Sequence, residues 1–72
     1  MERYKNLSGG SGVSSFEIGS DYIRVRFERS IKTYQYSYRK AGSYHVERMK
    51  GLAQNGSGLN SYIKTYVNDL YD

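Results

Sequence analysis

Tyr34, Tyr36 and Tyr38 alternate through KTYQYSYRK (32–40), with Lys32, Arg39 and Lys40 around them. Rings repeated every second residue share one face of a β-strand. Such a strip could stack nucleobases while the cations pair with phosphates. It could equally be the apolar face of a sheet, with each phenol oxygen reaching the edge of the core for a hydrogen bond. A second set, Tyr22, Arg24, Arg26 and Glu28, alternates with Ile23, Val25 and Phe27 in YIRVRFE (22–28).

Catalytic chemistry finds less support. His45 is the single histidine and the chain has no cysteine, so a usual zinc site lacks its ligands. His45 and Glu47 stand two apart and diverge on a helix. No nucleophile with a base is visible, and the chain reads as non-catalytic, without cofactor or metal. Gly56-Ser57-Gly58 could offer backbone amides to an anion. No strand precedes this loop and no lysine follows it, so it is not a phosphate loop of the nucleotide-binding kind. The plainer reading has Gly56 end one helix, with Ser57 or Asn60 capping the next.

The charge is unevenly placed. Of the chain's Lys and Arg residues, Arg24, Arg26, Arg29, Lys32, Arg39, Lys40, Arg48 and Lys50 all fall between Tyr22 and Lys50. Only Glu28 and Glu47 oppose them there. A field of this sign attracts polyanions without choosing among them; a merely solvated basic face is the competing reading. No apolar run is long enough for a membrane span, and MERYKNLSGG lacks the apolar middle of a signal peptide. The expected compartment is the cytoplasm, with no membrane partner.

These side chains need elements to hold them. At 72 residues the chain is one domain near the lower size limit for independent folding. Residues 1–12, ending in SGGSG, read as a flexible N-terminal tail, leaving 13–72 as the domain. SSFEI (14–18), YIRVRFE (22–28) and KTYQYSYR (32–39) read as strands joined by short turns. From Ser43, a candidate cap, Val46, Met49 and Ala53 recur at helical spacing, with Leu52 beside them. In LNSYIKTYVNDLY (59–71), Leu59, Tyr62, Ile63, Tyr66, Val67 and Leu70 form one helical stripe. The expected fold is α+β: a three-stranded antiparallel meander followed by two helices packed on one face (β-β-β-α-α).

Hairpin parity decides which way the tyrosines point. An even loop between the second and third strands sets Val25 opposite Tyr34 and Ile23 opposite Tyr36. The tyrosines then face the helices, and Arg24 and Arg26 lie outside with Gln35 and Thr33. An odd loop or a bulge reverses every one of these assignments. Core size favours the even loop, because the alternative would bury Thr33, Gln35 and Ser37 under the helices. The outer face would then present Tyr22, Arg24, Arg26 and Arg39, the residues expected to contact a nucleic acid.

The order of motifs resembles the KTSC domain family, a small module seen alone in bacterial proteins and at the C-terminus of some lysyl-tRNA synthetases. The carrying residues are VRF (25–27), YQY (34–36), Ala53, the NGSG loop (55–58) and NSYI (60–63), within roughly residues 14–71. The Val-Pro that often follows the Tyr-x-Tyr strand is missing. The resemblance marks Tyr34, Tyr36, Asn60 and Ile63 as motif positions, either structural or binding. It implies RNA as a partner, a suggestion resting on the family's place beside a tRNA synthetase. The alternative is a protein-interaction module or a self-associating adaptor.

Overall fold

The computed structural model describes residues 1–7, 9 and 12–72. Four strands, β1 (Glu2–Arg3), β2 (Val13–Ile18), β3 (Tyr22–Phe27) and β4 (Thr33–Ser37), precede the helix α1 (Ser43–Asn55). A short α2 (Leu59–Tyr62) runs directly into a π-helical turn, Ile63–Val67. The sheet is an antiparallel meander in the order β1-β2-β3-β4. The α+β class and meander are as expected; the sheet has four strands, not three.

The added strand comes from the segment read as a tail. Glu2 pairs with Phe16 and Arg3 with Ser15. Tyr4 is 4% exposed, and its Oη accepts a hydrogen bond from the Leu59 amide at 3.3 Å. The Leu7 amide donates to the Gly56 carbonyl at 2.7 Å. One buried ring and a few backbone bonds leave no periodicity in MERYKNL, which is why the strand escapes a pattern reading. Ser8, Gly10 and Ser11 of the lead-in lie outside the described residues.

In β2 the register shifts between Val13 and Ser15. This bulge, an extra residue at Ser14, lets Val13 and Phe16 point inward although they are three apart. Both are buried. The β3–β4 hairpin has the even register: Ile23 opposes Tyr36, Val25 opposes Tyr34, Arg24 opposes Gln35 and Arg26 opposes Thr33. Tyr36 is 2% exposed and sits in the core with Phe16, Ile23 and Val25. The three tyrosines nevertheless differ in fate. Tyr34 is half-buried, while Tyr38 lies beyond the end of β4, is 38% exposed and donates to Glu47.

Helix α1 packs on β3 and β4 through Val46, Met49 and Ala53. Its N-cap is Gly42 rather than Ser43, which is the first helical residue. Gly56 closes α1 in the left-handed conformation (φ 80°), its amide donating to the Leu52 and Ala53 carbonyls. A Cβ there would also lie 2.5 Å from Lys5 Cβ, so the close approach of the N-terminal segment and the backbone both require glycine. The next helix is capped by Gly58, with no side-chain cap from Ser57 or Asn60.

The second helix is shorter than the stripe implied. Leu59, Ile63 and Val67 are buried, and four-residue steps in an α-helix drift by about 40° each. A wider π turn offsets that drift and keeps Ile63 and Val67 on the core side. Tyr66, expected in the stripe, is turned out and 57% exposed. After Val67 the chain folds back, and the Asp72 amide donates to the Gln35 carbonyl at 2.7 Å.

Candidate functional site

Two regions collect the residues singled out above. The first is the outer face of the sheet, opposite the helices. Arg24 stands at its centre, opposite Glu17 on β2 and Gln35 on β4. Its Nε donates to Gln35 Oε1 at 2.7 Å, and one terminal nitrogen lies 3.5 Å from Glu17 Oε2. The guanidinium carbon sits 4.6 Å from the centre of the Tyr22 ring. Arg24 is thus aimed by three neighbours, one of them an aromatic face. Arg26, beside it across from Thr33, is exposed and enters no ion pair among the described residues. Arg39 lies past Ser37 in the turn after β4, outside the strand ladder.

Asp72 joins this face, a participant that pattern reading missed. Gln35 Nε2 and Ser37 Oγ each donate to its carboxylate at 2.8 Å. Those two bonds hold the Asp72 carboxyl below its ordinary range. The contact spans 35 to 37 residues of sequence, and no local pattern announces it.

The second region is a cleft of about 580 Å³ between the β3–β4 hairpin and the C-terminal segment. Its walls include Phe27, Tyr34, Tyr36 and Tyr71 on the aromatic side, with Asn60, Ile63 and Lys64 from the second helix. All four motif positions, Tyr34, Tyr36, Asn60 and Ile63, therefore meet in one place although 23 or more residues separate the two pairs in sequence. Tyr34 meets Phe27 and Tyr71 edge-to-face, with centroids 5.7 and 4.9 Å apart. Burial, with the neighbouring Tyr34 and Tyr71 hydroxyls adding to it, pushes the Tyr36 phenol up to about 12. That group stays neutral at any physiological pH. Asn60 makes no side-chain hydrogen bond among the described residues, so it does not tie down the interhelix loop.

His45 belongs to neither region. Its Nδ1 lies 2.7 Å from Tyr62 Oη, and its ring stacks on Tyr66 at 6.0 Å and 25°. Among the described residues no group of three or more His, Cys, Asp or Glu could hold a metal ion. No described helix is long and apolar enough to cross a membrane. Comparison of the chain with protein-family models, curated proteins and solved structures gave no match.

Proposed function

We propose that this chain is a non-catalytic, KTSC-like binding module that takes single-stranded RNA on the outer face of its sheet. The observation that carries the reading is the trio of Tyr22, Arg24 and Arg26 on a face that no described helix covers. Arg24 already stacks on Tyr22 and is held in place by Gln35, so little side-chain entropy remains to be lost when a phosphate arrives. Arg26 supplies a second phosphate contact, and Tyr22 serves to hold Arg24 in place beside it. Arg39, exposed in the next turn, extends the track.

Glu17 and Asp72 oppose this use by placing carboxylates on the same face. RNA must displace the Glu17 contact, so affinity is modest. Two or three phosphate contacts imply a log–log salt slope of about −1.4 to −2. Labelled single-stranded RNA titrated at low and moderate salt should show that slope. Changing Arg24 and Arg26 together to Gln should abolish it, while Glu17→Gln should tighten binding by freeing Arg24. Absence of binding even at low salt removes the proposal.

A second reading, a self-associating adaptor, rests on the short β1. Its two residues pair only with Ser15 and Phe16, leaving Glu17 and Ile18 at the end of β2 without a strand beyond them among the described residues. A mass that rises with concentration in light scattering would favour it, and a constant monomer mass would exclude it.

A further inference from the structure

We infer that the cleft between the β3–β4 hairpin and the C-terminal segment is a binding site for an alkylammonium group. This is the chemistry found at the end of a lysine side chain and in free polyamines. The site is separate from the outer sheet face and does not depend on RNA binding there.

Three observations converge on a cation. The first is ring chemistry. Lys32 Nζ lies 5.2 Å from the centre of the Tyr34 ring and 6.0 Å from that of Tyr71. The two rings that wall the cleft thus already offer their negative faces to an ammonium of this chain. Lys32 is not among the described lining residues, but it already occupies these two rings and competes with any second ammonium for them.

The second is charge. Glu28 and Asp69 stand at the cleft, both exposed, and neither enters an ion pair or side-chain hydrogen bond among the described residues. Lys64 is the one cation among the described lining residues, with Lys32 outside them against the Tyr34 and Tyr71 rings. The lining therefore carries two carboxylates against one ammonium, in a chain whose formal net charge is +4. An anion would meet the aromatic faces and both carboxylates, and is disfavoured on both counts.

The third is the polar lining. Asn60 is half-buried at the cleft wall with no side-chain partner among the described residues, and its carbonyl oxygen can accept from an N–H. The size also suits the class. A volume of about 580 Å³ lies within the range of small-ligand sites and takes an alkyl chain as well as its charged end. Phe27 and Ile63 give that chain apolar contact, while Tyr34 and Tyr71 face the ammonium.

The test uses the full chain, labelled with nitrogen-15, and no RNA. Three probes are titrated while amide and aromatic NMR signals are followed: N-acetyl-lysine-N-methylamide, spermidine, and the neutral isostere N-acetyl-norleucine-N-methylamide. The two cations should shift the signals of Phe27, Tyr34, Asn60 and Tyr71 saturably, and the norleucine amide should not. Tighter binding of the lysine amide assigns the site to a side chain of a partner protein; tighter binding of spermidine assigns it to free polyamine. Tyr71→Leu, at a partly exposed position, should weaken the cation by about fivefold or more. Lys32→Gln removes the competing ammonium from the same rings and should tighten it by about two- to threefold. The Arg24→Gln, Arg26→Gln variant should keep the cation response, which separates this site from the RNA face. Equal binding of the norleucine amide overturns the inference. So do shifts confined to other carboxylates such as Glu17 or Glu47, or affinities indifferent to both Tyr71→Leu and Lys32→Gln.

Discussion

The two sides of β4 share five residues and little else. Tyr34 and Tyr36 point toward the helices, where one is half-buried and the other closed from solvent. Thr33, Gln35 and Ser37 point the other way, and Gln35 bridges Arg24 to Asp72. The inner side is held by area removed from water and by ring contacts, which are large and not screened by salt. Hydrogen bonds and charge in open water hold the outer side, and these are individually small. One strand thus anchors the fold with alternate residues and leaves the others on the solvent side.

The comparison breaks first at Tyr36. Tyr36→Ala should lower stability by about 3–5 kcal/mol, by analogy with other large aromatic-to-alanine changes; urea denaturation would measure it. A loss below about 1 kcal/mol would mean that the inner face is not where stability resides.

A smaller effect should appear at high pH. The Tyr36 phenol titrates near 12 when folded and near 10 when unfolded. Its raised value contributes stability that is fully present below about pH 10 and is lost as pH rises toward 12, at most roughly 2–3 kcal/mol. Tyr36→Phe should keep most of the packing and flatten the fall between those limits. Parallel alkaline curves for the two proteins would place the phenol in water.

The smallest effect belongs to the outer face. Because Gln35 and Ser37 lower the Asp72 value, its contribution is present above the ordinary carboxylate value. It fades as pH falls through the lowered one. Asp72→Asn should therefore converge with the unaltered chain in acid and differ from it slightly at neutral pH. Stability curves from pH 2 to 7 would show this, and a difference as large as that of Tyr36→Ala would erase the contrast between the faces.

Alternation in YIRVRFE and KTYQYSYR was enough to establish two strands, because side-chain direction in a strand has a strict period of two; core size favoured the even register, and the folded hairpin decided it. The helical spacing of Val46, Met49 and Ala53 was legible for the same kind of reason. Gly56 could be read as a helix end, since a left-handed C-cap is a local requirement.

What pattern could not supply depends on contacts made across the fold. Tyr4 reaches Leu59 across 55 residues, and Asp72 reaches Ser37 across 35; neither is preceded by a repeat. The bulge at Ser14 and the π turn at Ile63–Val67 each break a period locally to meet a shared core. The cleft exists only because the hairpin and the C-terminal segment are folded together, so its motif residues could be named from sequence but not joined. Periodicity is a property of neighbours along the chain. The cleft and the added strand are properties of neighbours in space, and only the tertiary structure could decide them.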